Sequence, residues 1–244
     1  MTTRIIAGLI LLASATSAHA DFIGVFAGIG GWRADFSGDV VSNVNVENEL
    51  GIADDLSNYA YFAFEHPVPL LPNIRVERTN VSDTGTGTLT GSFEFAGEDF
   101  TVGEMVEADI DLTSTDLTLY YELLDTGMDL DVGLTARVFQ GDVIIDNASR
   151  SVTGGLPMLY ARAKFGLPFS GFYLGADINT LSYRDSELTD LSFTVGWEIE
   201  NFILPEFGIE GGYRRMTLEL DPDEFDVGVD VDLDGVFVNL TAHF

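Results

Sequence analysis

The 244-residue sequence contains no cysteine, so no disulfide holds the fold together. It is also poor in basic residues: 11 lysines and arginines stand against 40 aspartates and glutamates, for a formal charge of −29. This acidity argues against a nucleic-acid partner, whose phosphates would be repelled, and against a polybasic lipid anchor. It favours divalent cations or basic partners, although solvated acidic loops explain the same charge.

Beyond its first twenty residues the chain lacks any unbroken run of about 20 apolar residues, the length that a transmembrane helix needs. Charges or glycines interrupt each of the more apolar stretches. The chain is therefore either exported and soluble, or it crosses a membrane as a closed β-barrel. A closed barrel is the only other structure that satisfies every backbone polar group in lipid.

The N-terminus has the pattern of a secretory signal peptide. Arg4 supplies a positive charge, residues 5–15 form a short apolar segment, and Ala18-His19-Ala20 is a small-residue cleavage site. The pattern predicts a signal peptide over residues 1–20 and a mature domain over residues 21–244; a retained N-terminal anchor is the alternative. An exported chain without disulfides must be held by its core or by a closed hydrogen-bond network, which a barrel provides.

The C-terminal residues alternate with a period of two, which indicates a β-strand. One face carries Val236, Val238, Leu240, Ala242 and Phe244, whereas polar residues predominate on the other. Such a strand suits lipid on one side and a polar interior on the other. The terminal Phe244 also resembles the signature of bacterial outer-membrane barrels that their assembly machinery reads. The expected partners are therefore the barrel assembly machinery, outer-membrane lipid and lipopolysaccharide.

Turn residues divide the mature chain into about ten strands. They are predicted at residues 22–36, 57–66, 73–91, 108–124, 128–140, 155–167, 172–183, 188–200, 206–220 and 230–244. Long acidic connections alternate with short ones rich in Pro, Gly or Asp, as in outer-membrane barrels with short periplasmic turns and longer outer loops. The predicted fold is an all-β, closed antiparallel transmembrane barrel of ten strands, or of eight if two strands belong to a loop hairpin.

Alternation within the strands predicts which side chains face the lumen. An Arg or Lys that faces lipid at the bilayer centre costs about 2–4 kcal/mol, so the charged face must point inward. The inward charges are expected to pair into a polar plug, with a pathway for protons or small ions as the alternative. The predicted lumen network comprises Glu65, Arg75, Glu77, Asp116, Glu122, Asp129, Asp131, Arg137, Arg162, Lys164, Asp177, Glu198, Glu210 and Arg214.

Two strands break the alternation. In strand 108–124, Ile110 and Leu112 have the opposite parity to the apolar residues that follow. Either a bulge lies near residues 113–115, or the strand leaves the membrane there. In the last strand, Asp230, Asp232 and Asp234 share the parity of Val236. An extension of this strand above the lipid would allow these acidic side chains to point outward.

The same aspartates begin a D-x-D-x-D-G sequence typical of a calcium loop, but Thr241 stands where the full motif has a bidentate glutamate. Two interpretations stay open: a calcium site formed by Asp230, Asp232 and Asp234, or an acidic strand extension. No other cofactor is expected. The mature chain has only two histidines, His66 and His243, both near predicted periplasmic ends, so an outer-rim protease or a Ser–His lipase is not expected.

Glycine pairs recur, and those within strands permit sharp bending or close packing. Residues 21–32, which include Gly30-Gly31, the segment 211–214, which begins Gly211-Gly212, and the terminal Phe244 resemble an uncharacterised proteobacterial family of outer-membrane β-barrels with a Gly-Gly pair. The resemblance implies a Gram-negative outer-membrane location and a barrel fold, and no known activity. The expected function is structural or surface-interacting, with a narrow transport barrel and a lipid-facing enzyme as alternatives.

Overall fold

The computed structural model describes residues 23–40, 44–183, 186–199, 205–220 and 228–244. These residues contain no helix long and apolar enough to cross a membrane. The strands are β1 (Gly24–Val40), β2 (Val44–Asn45), β3 (Asp54–Glu65), β4 (Asn73–Asn80), β5 (Ser82–Thr88), β6 (Phe93–Phe95), β7 (Glu98–Phe100), β8 (Met105–Asp111), β9 (Ser114–Asp125), β10 (Met128–Ile145), β11 (Ala148–Gly166), β12 (Phe172–Tyr183), β13 (Ser186–Ile199), β14 (Glu206–Leu220) and β15 (Val229–His243).

Ten of these strands close into an antiparallel barrel. The hydrogen-bonded order is β1-β3-β4-β9-β10-β11-β12-β13-β14-β15, and β15 pairs again with β1. Closure extends to the last residue, because the main chains of Val25 and Phe244 exchange two hydrogen bonds of 2.9 and 3.2 Å. The prediction of a closed ten-stranded barrel is confirmed, and the eight-stranded alternative is wrong. The predicted signal peptide, residues 1–20, lies outside the described residues.

We call the barrel end that carries both chain termini the lower end and the opposite end the upper end. Short connections lie at the lower end, such as the two-residue turn 126–127 between β9 and β10. At the upper end, the chain between β4 and β9 builds β5 and β8, which pair with each other, and the β6–β7 hairpin. The predicted contrast between short lower turns and elaborate upper connections is thus present.

Several predicted boundaries are wrong at the upper end. The predicted loop 141–154 is instead the tip of a tall hairpin, because β10 and β11 continue to a two-residue turn at Asp146-Asn147. Predicted strand 108–124 is two strands: β8 pairs with β5 and the top of β10, and only β9 belongs to the barrel ring. Predicted strand 73–91 likewise divides into β4 and β5.

The lower part of the barrel exposes apolar side chains on its outside. Leu134, Leu159 and Leu240 are each about 60% exposed, whereas the polar residues between them point inward. A contiguous exposed apolar belt with a charged interior is the arrangement of a membrane barrel. Further members of the belt are Ile29, Ile74, Leu119, Phe193, Val195, Ile209 and Val238.

The upper part has the opposite polarity. Along β15, the outward positions change from Asp230, Asp232 and Asp234 to Val236, while the inward Leu233 is fully buried. The aspartates therefore extend above the apolar belt, as the interpretation of an acidic strand extension predicts. Ile110 and Leu112 follow the same rule, since both are buried inside the upper part. Their parity reflects a chain segment above the belt, without a bulge at residues 113–115.

An apolar core fills the upper interior. One cluster of buried residues joins Trp32 and Phe36 of β1 with Phe139 of β10 and Met158 of β11, on the far side of the ring. The segment between β2 and β3 also enters this core with Val46, Leu50 and Ile52, all fully buried. This cluster packs across the upper interior of the barrel.

Glu49 anchors the segment that enters the core. Its carboxylate accepts hydrogen bonds from the main-chain N–H groups of Asn45 and Thr90 and from the Thr90 hydroxyl. Burial alone would raise the pKa of Glu49, but these hydrogen bonds outweigh burial and lower its pKa below the usual value of 4.5. The ionised side chain therefore fixes this segment at neutral pH.

Candidate functional site in the barrel lumen

The centre of the lumen holds a buried ion network of four side chains. Arg137 of β10 donates to both carboxylate oxygens of Asp116 and, through Nη2, to Asp190 at 2.7 Å. Arg214 of β14 donates to the same oxygen of Asp190, again at 2.7 Å. Arg137 is only 1% exposed. These inward positions follow from the alternation of each strand, which places every second side chain in the lumen.

A second group extends the network downward. Glu77 accepts a hydrogen bond from Arg75 at 2.8 Å and lies 3.6 Å from Nη1 of Arg214. The guanidinium of Arg75 stacks over the ring of Tyr61 at 3.8 Å, and that of Arg214 lies 5.0 Å from the Trp32 ring. The network therefore contacts aromatic side chains as well as carboxylates.

The lower lumen contains two looser ion pairs. Arg162 lies 3.5 Å from Asp177, and Lys164 donates to Glu198 at 3.1 Å while its ammonium sits 4.2 Å above the Tyr173 ring. These side chains are about a quarter exposed. They are more open to water than the central network, so we expect each pair to contribute less to stability.

Hydroxyl and amide groups donate hydrogen bonds to other carboxylates in the lumen. Tyr120 donates to Glu65 at 2.7 Å. Tyr173 and Asn239 donate to Glu210 at 2.6 and 2.9 Å. Tyrosine hydroxyls thus take part in the hydrogen bonds of the lumen, whereas the predicted network contained only charged residues.

Two cavities lie below the apolar core. The central one, of about 80 Å³, is enclosed by the ion network. The lower one, of about 340 Å³, lies among the ends of the strands at the lower mouth. Both are lined by Tyr61, Arg75, Arg162, Tyr173 and Glu210. The lower part of the lumen therefore contains open space, whereas apolar side chains fill the upper part.

The structure brings together most of the predicted lumen charges. Arg137, Arg214 and Asp116 belong to the central network, and Arg75 and Glu77 extend it downward. Around the lower cavity lie Glu65, Glu122, Asp129, Asp131, Arg162, Lys164, Glu198 and Glu210. Asp177 lines the central cavity. A functional role for these residues, besides filling the lumen, stays a prediction.

Sequence reasoning missed Asp190, which lies at the middle of the network. Its signal was present, because Asp190 shares the parity of the inward Ser192 and Thr194 on the same strand. Tyr173 was missed as well. It alternates with outward apolar residues and could have been assigned to the lumen by the same rule.

The structure places the candidate calcium ligands on the outward face of β15. Asp232 accepts hydrogen bonds from Arg215 at 2.9 Å and from the Thr217 hydroxyl at 2.6 Å, and Asp234 accepts one from Tyr213. Among the described residues, no three His, Cys, Asp or Glu side chains are grouped to hold a metal ion. Calcium binding stays a prediction.

His66 and His243 both lie at the lower end. His243 is 3.4 Å from Glu206 and stacks on Phe26, with ring centroids 4.0 Å apart. His66 contacts the main-chain oxygen of Pro72. The expectation that the chain is not an enzyme stays a prediction.

No protein-family model and no curated protein matches the sequence. Among solved structures, the chain is similar to a Pseudomonas aeruginosa FadL homologue, with 8% identity and a TM-score of 0.35 over 92% of this chain and 90% of that chain. It is also similar to the outer membrane protease OmpT from Escherichia coli, with 12% identity and a TM-score of 0.36 over 94% of this chain and 98% of that chain. Both similarities are too low to bear on function.

Proposed function

We propose that this protein is an integral barrel of a Gram-negative outer membrane, with a sealed interior and a structural or surface-interaction role. The exposed apolar belt supports insertion into lipid, since a water-exposed belt of this kind would aggregate. The short turns at the lower end support an orientation with both termini in the periplasm. The upper part would then stand outside the cell.

The proposal of a sealed interior rests on two adjacent layers, the upper apolar core and the central ion network below it. The core joins strands on opposite sides of the ring. Directly below it, Arg137 and Arg214 share Asp190, and these three side chains are each less than a tenth exposed. A solute that crossed the lumen would have to displace both layers.

Contacts with lipid headgroups form part of the proposal. Arg33, Arg78 and Arg215 point outward near the upper border of the apolar belt. The guanidinium of Arg78 donates to Thr115 and Gln140 and makes no ion pair within the described residues. Cations at this height would face the phosphates of outer-membrane lipid or lipopolysaccharide, which favour arginine through bidentate hydrogen bonds.

Exposed acids cover the upper part and support a role at the surface. Glu94 and Asp99 lie opposite each other on the β6–β7 hairpin, and Asp142 is exposed on β10. A strongly acidic surface attracts basic partners and cations.

A narrow transport barrel is the second candidate, because the central and lower cavities share lining residues. Together they would form the lower part of a pathway through the barrel. Planar-bilayer recording separates the two functions. The folded protein is expected to give no stable unitary conductance. Stable unitary steps in the unmodified protein would contradict the sealed interior.

A matched pair of variants checks that the recording can detect an opening. Leu50→Ser with Ile52→Ser removes two fully buried side chains from the upper core and is expected to introduce current steps. Leu70→Ser with Leu71→Ser makes the same chemical change at an exposed lower turn and is expected to leave the membrane silent.

A further inference from the structure

An open groove lies on the outer wall of the barrel, where β15, β1, β3 and β4 run side by side. Its volume of about 520 Å³ lies within the range of small-molecule pockets, about 300–1,000 Å³. Its floor is Ala60 of β3, whose short side chain lies between the larger Ile29 and Arg78 on the neighbouring strands. The groove is therefore on the opposite side of the barrel wall from the lumen cavities.

The two sides of the groove differ in polarity. Ile29 and Leu240 form one side and belong to the exposed apolar belt. Arg78 and Asn80 form the other side, and Asn80 donates to Asn58 at 2.8 Å across the upper end of the groove. No carboxylate of the described residues lines the groove. A molecule that fills it therefore needs an apolar part and a polar or anionic part, as a lipid has.

Arg78 has a fixed guanidinium with unused donors. Its Nη1 donates to the Thr115 hydroxyl at 3.1 Å and to Oε1 of Gln140 at 3.3 Å. Nε and Nη2 donate to no residue in the described ranges of the chain. A guanidinium with two adjacent nitrogen donors free is matched to a phosphate, which accepts two parallel hydrogen bonds.

Two other outward arginines at this height are already ion-paired. Arg33 pairs with Asp54, and Nη2 of Arg215 donates to Asp232 at 2.9 Å. A phosphate that approached Arg33 or Arg215 would be repelled by the carboxylate already bound there. Of these three arginines, Arg78 is therefore the one that is free to bind a phosphate.

The uncharged groups around Arg78 indicate which phosphorylated lipid fits. Amides and a hydroxyl lie on four adjacent strands, at Asn58, Asn80, Thr115 and Gln140. At the usual strand spacing these four strands span about 14 Å, which is wider than a single phosphate needs. Side-chain amides and hydroxyls both donate to and accept from sugar hydroxyl groups. A phosphorylated sugar with acyl chains therefore matches the cation, the polar row and the apolar side together.

We propose that this groove binds one lipopolysaccharide molecule through its lipid A part, a phosphorylated glucosamine disaccharide with acyl chains. A lipid A phosphate accepts hydrogen bonds from Nε and Nη2 of Arg78, and the sugar contacts Asn58 and Asn80. One acyl chain lies along Ile29 and Leu240. This inference rests on the proposed function, because the groove reaches the outer leaflet only if the upper part of the barrel stands outside the cell.

Native mass spectrometry of the full mature chain, released from zwitterionic detergent micelles, tests the proposal with purified lipid A as the probe. Saturable binding of one lipid A per chain is expected, and phosphatidylglycerol and inorganic phosphate are each expected to bind at least about tenfold more weakly. Comparable binding of phosphatidylglycerol would overturn the assignment to lipid A. Comparable binding of inorganic phosphate would overturn the role of the apolar side. This comparison uses the unmodified chain, so it decides the proposal even if a variant fails to fold.

A matched pair of charge variants locates the phosphate. Arg78→Gln is expected to weaken lipid A binding at least about tenfold, or about 1.4 kcal/mol, because it removes the charged hydrogen bonds to the phosphate. Arg215→Gln removes the same charge near the same border of the belt and is expected to leave the affinity unchanged. Equal weakening by the two variants would mean that only the overall charge matters and would overturn the site.

A second pair of variants tests the groove itself. Ala60→Trp fills the floor and is expected to weaken lipid A binding at least about tenfold although Arg78 is intact. Ala136→Trp places the same ring on the exposed outer face of β10 and is expected to have no effect. Unchanged binding to the Ala60→Trp variant would overturn the groove. A chain that inserts into lipid vesicles and binds no lipid A would overturn this inference alone, whereas a chain that does not insert would overturn the proposed function as well.

Discussion

At the scale of single residues, the central network depends on Arg137. This guanidinium is 1% exposed and holds two carboxylates, Asp116 and Asp190, of which Asp116 has no other ion pair among the described residues. Removing one partner of a buried ion pair leaves the other charge without compensation, which costs more than the pair itself contributes. Arg137 is therefore the residue whose loss should damage the lumen most.

Arg137→Ala is expected to lower the free energy of unfolding by about 3–5 kcal/mol, because it leaves Asp116 without a cation and removes one of two from Asp190. Denaturant unfolding in detergent or lipid vesicles measures the change. Lys164→Ala is the control, since its pair with Glu198 is about a quarter exposed and a change under about 1 kcal/mol is expected. Equal losses for the two variants would show that burial of the central network does not determine stability.

The sequence allowed the inward charges to be predicted where alternation was clean. Strand β10 is such a case, because Leu134 and Ala136 point outward and Arg137 points inward. Asp190 was missed because the strand's first apolar residues, Leu188 and Leu191, have opposite parity. Leu188 lies in the upper core and Leu191 on the outer face, so a single rule of polarity could not fit both.

At the scale of strands, the glycine pairs of β1 and β14 have a packing explanation. Both strands flank β15, whose inward side chains need room. A Cβ on Gly212 would lie 2.0 Å from the main-chain oxygen of Phe193 and 2.6 Å from the Phe237 ring. A Cβ on Gly30 would lie 2.0 Å from the Asn239 side chain and 2.7 Å from a main-chain oxygen. In each pair, the inward glycine is the crowded one.

Gly212→Ala is therefore expected to destabilise the barrel by about 1–3 kcal/mol, because the new methyl group must displace backbone as well as the Phe237 ring. Gly211→Ala is the matched control, since its Cβ would meet a single atom at 3.7 Å. Unfolding midpoints in the same detergent compare the two. A similar loss for both alanine variants would mean that strand flexibility, not space inside the lumen, explains the pair.

Element boundaries were predictable to different extents. The bounds of β12 and β14 agree with the sequence prediction, because turn residues mark their lower ends and alternation continues to the top. The top of the β10–β11 hairpin was taken for a loop because its outward residues, such as Asp142 and Ser151, are polar. Polar outward residues are normal for a strand in water, so the prediction failed where the strand left the apolar belt.

At the scale of the whole molecule, the barrel combines two kinds of interior. Its lower part has an apolar outside and ions within, whereas its upper part has acids outside and an apolar core, as in a water-soluble protein. The change occurs along continuous strands, so the surrounding solvent, rather than the fold, decides which face is apolar. In the sequence, this change is visible only near residues 110–112 and 230–234, where the alternation of apolar and polar residues breaks.

The most direct test of this two-part barrel is a labelling scan along the outward face of β15. The chain has no cysteine, so Asp230→Cys, Asp234→Cys, Val236→Cys, Val238→Cys and Leu240→Cys each provide a single attachment point for a spin label. In lipid vesicles, collision with oxygen reports a lipid environment and collision with a water-soluble nickel complex reports water. We expect labels at 230 and 234 to contact water and those at 236, 238 and 240 to contact lipid. Labels that all report the same environment would contradict the account.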